Sequence, residues 1–179
     1  MSAPLLERGR TALLVVDVQE GFRPVIDRFD EVARATAILV QGARALGLPM
    51  IVTEQYPKGL GPTIPEVAEH LDGVDRLEKT AFPATEADGF DLAGRDQVLV
   101  CGIETHICVH QSAARLLAAG AEVQVVQDAV SSRTPANREV GLRRIEEAGG
   151  RRTSVEMALF ELLGGAGTDE FKTIQRLIK

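Results

Sequence analysis

Cys108 stands in the stretch "GIETHICVHQSAARLLAAG", where a buried strand runs into an amphipathic helix, and it falls within the first turn of that helix. A thiol reacts as its thiolate. The free N–H groups and the dipole at a helix N-terminus favour negative charge, which lowers a cysteine pKa from its free value of about 8.5. The position suits a nucleophile; a small apolar filler is the other reading, and location alone leaves both open. A nucleophilic cysteine needs a base. His106 and His110 are near in sequence, but two residues at about 100° each place either one nearly opposite Cys108 on a helix. They share a face with each other at the spacing "HICVH", which metal-binding pairs use. No Glu stands between them and no third ligand is near, so they read as surface or pocket-lining side chains and no metal is expected. The base must come from another element. Asp17, at the end of the first strand, is the acid that the architecture brings nearest; ending a strand and capping a turn is its alternative role.

The elements that must position these groups alternate along the chain. "TALLVVDV" (11–18) is nearly continuous in hydrophobicity, as a strand buried on both faces should be. "FDEVARATAILVQGARALGL" places Val32, Ala35, Ile38, Leu39, Ala43 and Leu46 at helical spacing, with Gly47 set to stop the helix. "PMIVTEQ" reads as a second strand, and "YPKGLGPTIP" (56–65) as a long irregular loop. "DRLEKTAF" holds a short strand, "TEADGFDLAG" a short helix capped by Thr85, and "DQVLVCGI" a buried strand. A helix from about Thr105 to Ala119 follows, then a strand in "AEVQVVQDAV". "PANREVGLRRIEEAGG" is a helix with Pro135 in its first turn, and two short helices close the chain. Strand alternating with helix predicts a three-layer α/β/α domain over 1–179 with a mostly parallel, about six-stranded sheet. In such sheets ligands bind outside the carboxyl ends of the strands, which singles out Asp17, Glu54, Gln55 and the segment 102–108.

Composition narrows the classes. With 45% hydrophobic and 26% charged residues among 179, the chain has the make-up of an ordered globular protein that needs no disulfide staple. The net charge of −6, with both signs interspersed, argues against nucleic acid as a partner. No apolar run reaches the roughly 20 residues that span a bilayer, and "MSAPLLERGR" has no apolar core of a secretory signal, so a cytoplasmic protein with no membrane partner is expected. Cys101 and Cys108 then read as two free thiols.

Three strings in order, "LLVVDVQEGF", "EKTAF" and "VLVCGIETHICVHQSAARLLAAGAEVQVVQDAVSSR", resemble the isochorismatase-like cysteine hydrolase superfamily over nearly the whole chain. The closing "FELLGGAGTDEFKTIQRLI" further resembles its small isochorismatase-domain branch. The resemblance implies a catalytic triad of Asp17, Lys79 and Cys108. Asp17 would move the thiol proton, Lys79 would hold the carboxylate, and the thiolate would attack a carbonyl to give a thioester. It also implies an oxyanion hole made by the backbone N–H groups of Glu104 and Cys108, with a cis peptide between Ile103 and Glu104. Gln19, Phe22, Tyr56 and Phe82 are candidate walls of the substrate pocket, although Phe and Tyr more often serve the core.

Departures from the family bear on substrate. Metal-dependent nicotinamidases carry an Asp-x-His and a later His, whereas "TEQYPKGLGPT" has no histidine. Dedicated isochorismatases often lack the cysteine that this chain keeps. The expectation is a metal-independent hydrolase, without cofactor, that cleaves a C–N bond in a small amide or carbamoyl compound and assembles as a homo-oligomer, as relatives do. A protein of the same fold that works by binding or assembly, or whose thiol serves redox chemistry, is the alternative class.

Overall fold

The computed structural model describes residues 5–179. Its centre is a six-stranded sheet of β1 (Thr11–Val16), β2 (Met50–Gln55), β3 (Arg76–Lys79), β4 (Gln97–Ile103), β5 (Glu122–Ser131) and β6 (Arg151–Thr153). All neighbouring pairs are parallel and the order is β3-β2-β1-β4-β5-β6. Alternation along each strand divides the core in two. Leu13, Val15, Leu99 and Cys101 face one side, where they pack with Leu39, Ala43 and Leu46 of α1 (Phe29–Leu46) and with Ala158, Leu159 and Leu162 of α6 (Val155–Leu163). Ile174 of α7 (Asp169–Ile178) joins the same side. Ala12, Leu14, Val16, Val98 and Val100 face the other, against Ala113 and Leu116 of α4 (His110–Ala118) and Leu142 and Ile145 of α5 (Pro135–Glu147). Every residue of β1 and β4 is buried, which explains their unbroken apolar runs.

The chain leaves β1 toward β2 and β3, then crosses back to lay β4 on β1's other edge. Strand order therefore reverses between β1 and β4, and the crevice of an open α/β sheet opens there. The two strands approach closely. A Cβ on Gly102, whose φ is 120°, would lie 2.0 Å from the carbonyl oxygen of Val16.

Several local expectations change. The first strand stops at Val16, and Asp17 takes a left-handed φ of 53° just beyond it. The segment 56–65 is only partly irregular, because Pro57 and Pro65 each open a one-turn helix, α2 (Pro57–Leu60) and α3 (Pro65–Ala68). Thr85 does not cap a helix. It lies inside a 3₁₀ turn, Ala84–Glu86, entered from Pro83, and left-handed backbone at Gly89, Ala93 and Gly94 keeps the following residues from continuing it. β6 escapes sequence reading because "RRT" carries no apolar pattern. The helix after β4 begins as a π-helical turn, Thr105–Val109, before α4.

Candidate active site

Three strands deliver the polar groups to the crevice. Asp17 stands just past the end of β1, β2 carries Thr53 and Gln55, and β3 ends at Lys79. The parallel register sets Val16 beside Thr53 and Gln55 beside Lys79, so these side chains emerge together. Lys79 Nζ donates to Asp17 Oδ2 at 2.8 Å and to Gln55 Oε1 at 2.6 Å, and the carbonyl oxygens of Phe82 and Ala81 accept at 3.0 and 3.3 Å. Thr53 Oγ1 donates to Asp17 Oδ1 at 2.7 Å. Cys108, carried in by the π-turn, sets Sγ 4.0 Å from Gln55 Oε1 and interacts with the Asp17 carboxyl. The Lys79–Asp17 pair is buried, with side-chain exposures of 1% and 0%. A buried ion pair is kept only where the surrounding hydrogen bonds are complete, and both partners here have them.

Burial governs the protons. It pushes the Asp17 carboxyl up, against the opposing effects of Lys79, Thr53 and Cys108. It pushes the Cys108 thiol up to about 12, and the negative charge of Asp17 adds to the rise while Lys79 opposes it. This reverses the direction expected from a helix N-terminus. Cys108 lies in a buried turn that faces a carboxylate, and desolvation with like-charge repulsion outweighs the dipole. The resting thiol is therefore protonated at neutral pH, beside a carboxyl of raised proton affinity.

The segment before Cys108 is held from the opposite side. The β4–β5 ladder ends at the Ile103–Ser131 pair, and the next peptide, Ile103–Glu104, is cis. Glu104 is buried; burial pushes its carboxyl up, but hydrogen bonds and charge from Arg133 hold it below the ordinary carboxylate value. His106 Nδ1 lies 2.9 Å from Ser132 Oγ, so the ring is occupied away from the thiol.

Of the proposed pocket walls, Tyr56 and Phe82 are exposed, at 54% and 52%. A cleft of about 360 Å³ runs beside Lys79, with Tyr56, Lys58, Thr80 and Glu86 in its walls, and Cys108 does not line it. Gln19 and Phe22 take different parts from those expected. Gln19 is fully buried and gives its amide to backbone, donating to Gln55 O and Gly61 O and accepting from Gln55 N–H. Phe22 is packed in the core beside α1. Gln55, which the strand-end rule singles out without giving it a role, touches both Lys79 and Cys108, and Ser112 is a group that the sequence does not place in the site. Buried Ser112 donates to Cys108 O at 2.6 Å and accepts from Ala84 N–H at 2.7 Å, tying the Cys108 turn to the segment that receives Lys79. The position of Gln55 at the carboxyl end of β2 was the available signal; Ser112 had none beyond its place one turn after Cys108.

The isochorismatase domain model matches residues 11–157. A mouse protein named isochorismatase domain-containing protein 2A is 41% identical over 170 residues, covering 93% of this chain and 82% of that one. A Caenorhabditis elegans structure described as MAR1 ribonuclease superposes with a TM-score of 0.92 at 38% identity, over 98% of this chain and 92% of the other. YcaC from Pseudomonas aeruginosa, solved with hexane-2,5-diol and covalent acrylamide, gives a TM-score of 0.89 at 25% identity, over 99% and 93% of the two chains.

Proposed function

Because the chain belongs to the isochorismatase family, we propose that it is a metal-independent cysteine hydrolase that cleaves a C–N bond of a small amide or carbamoyl compound through a thioester. The observation that carries the reading is the convergence of Asp17, Lys79 and Gln55 on Cys108 at the strand-order reversal. Asp17 takes the thiol proton as sulfur attacks the carbonyl carbon, while the Lys79 ammonium keeps the resulting charge balanced. The N–H groups of Glu104, one residue past the end of the ladder, and of Cys108 are assigned to the oxyanion. Collapse breaks the C–N bond, and the departing amine takes the proton from Asp17. Water then attacks the thioester carbon, giving a proton to Asp17. The carboxylic acid leaves, and the proton on Asp17 returns to sulfur.

The raised proton affinity of Asp17 suits it to this shuttle. Covalent acrylamide in YcaC gives collateral support, since acrylamide joins an amide to an electrophilic carbon. The ribonuclease name of the worm relative gains no electrostatic support from a net charge of −6. The reading extends to a homo-oligomer in the cytoplasm. Unpaired Cys101 and Cys108 are consistent with a reducing compartment, and exposed Met157 and Phe160 on α6 offer apolar contact surface.

The test is covalent trapping. Incubation with acrylamide or an activated acyl donor, followed by peptide mass analysis, should place the adduct on Cys108, and Asp17→Asn and Lys79→Ala should each slow it by about 10²-fold or more. Release of ammonia from a panel of small amides and carbamoyl compounds should vanish in Cys108→Ala. Labelling of both variants at the parental rate would remove the proposed activation.

A further inference from the structure

The β5–α5 corner grips the nucleophile turn at three points. Arg133 meets the buried Glu104 carboxylate with its whole fork: Nη2 to Oε1 at 2.8 Å and Nε to Oε2 at 3.1 Å, while its backbone N–H donates to Oε2 at 3.0 Å. Ser132 holds His106, two residues further on. Gly141 of α5 lies flat against the same turn, since a Cβ there would stand 2.7 Å from Thr105 O and 2.8 Å from His106 Cα. The Arg133 guanidinium is itself 57% exposed while Glu104 is 3% exposed, so the ion pair anchors a buried group from the surface. A bidentate fork fixes orientation as well as position, which a point charge does not.

We propose that Arg133 is a positioning residue for catalysis: through the Glu104 side chain it aims the Glu104 backbone N–H at the site where an oxyanion develops. The proposal rests on the oxyanion assignment made above. Its force comes from geometry, because an oxyanion donor works only when it is aimed at the transition-state position, about 2.7–3.1 Å away. The Asp17–Lys79 half of the site does not touch Arg133. Loss of the fork should therefore impair steps that generate an oxyanion and spare steps that need only the sulfur nucleophile.

Two reagents separate those steps at Cys108. With p-nitrophenyl acetate, sulfur adds to the carbonyl, an oxyanion forms, p-nitrophenolate departs, and the thiol proton passes to Asp17 and on to solvent. With iodoacetamide, sulfur displaces iodide at a saturated carbon and no oxyanion arises. Arg133→Gln should lower the acylation rate by about 10- to 100-fold, part of the 10²–10³ that deletion of an oxyanion donor costs, and leave the alkylation rate within about twofold. Arg133→Lys, which keeps the charge without the fork, should fall between Arg133→Gln and the parent. Both rates are taken on one preparation whose melting transition matches the parent's, so a change in their ratio is not a change in folding. Acylation of Arg133→Gln at the parental rate, or equal loss of both reactions, would overturn the proposal. A parent protein that neither reagent modifies at Cys108 would instead bring down the hydrolase reading itself.

Discussion

In the proposed shuttle one proton passes between Cys108 and Asp17, and burial raises the affinity of both groups for it. An isolated thiol reacts about tenfold faster per pH unit until its own pKa is reached, because only the thiolate attacks. With a carboxylate in contact to accept the proton, the reactive pair keeps a constant composition between the two titrations. The rate of Cys108 alkylation by iodoacetamide should therefore be flat across neutrality. It should fall on the acid side as Asp17 becomes protonated, at a pH above the 3.8 of an ordinary Asp, since that pKa is raised. Asp17→Asn should restore the tenfold-per-unit climb from a much lower starting rate. A stopped-flow or mass-spectrometric rate profile from pH 4 to 10 checks both curves, and a parental profile that climbs steadily through neutrality would contradict the shuttle.

At the scale of elements, the site is built from strand ends braced by hydrogen bonds that cross between segments. Ser112 links α4 to the 3₁₀ turn at Ala84, and its removal leaves a buried N–H and a buried carbonyl without their partner. Ser112→Ala should cost about 1–3 kcal/mol, seen as a lowered melting temperature of about 2–4 °C per kcal/mol in a chain of this size, together with slower labelling of Cys108. Unchanged melting and labelling would show the brace to be dispensable. Such braces also mark where sequence reading stopped. The apolar runs of β1 and β4, the heptad-like spacing of α1 and the punctuation by Gly47 and Pro135 are local signals, and they led to the sheet and its layers. Asp17, Lys79 and Cys108 were legible through the strings around them. Ser112 and Arg133 were not, because each acquires its role from a partner 28 or 29 residues away that only the folded register supplies, and Gln55 was legible as a strand-end position but not in its partners. The thiol's proton affinity departs from the sequence expectation for the same reason: a helix position is visible in sequence, and the desolvating neighbours are not.

For the whole molecule, the two sulfurs tie stability to alkaline pH. Burial pushes both Cys101 and Cys108 from 9.0 up to about 12. Between these values the unfolded chain releases thiol protons that the folded chain retains, so the unfolded state gains relative to the native one as pH rises. Stability should be untouched by these groups below pH 9 and decline from 9 toward 12, and the decline should be shallower in the Cys101→Ala Cys108→Ala variant; denaturant titrations at stepped pH measure the two slopes. The halves of the sheet also divide the proposed chemistry, with carboxylate and amine on the β1–β3 side and the sulfur on the β4–β6 side. The two halves meet along the seam between the central strands, and at Gly102 that seam admits nothing larger than a hydrogen atom. A methyl group there would act as a wedge, prising the proposed proton acceptor from the sulfur it serves, so in that reading the spacing of the reaction depends on the side chain that Gly102 lacks.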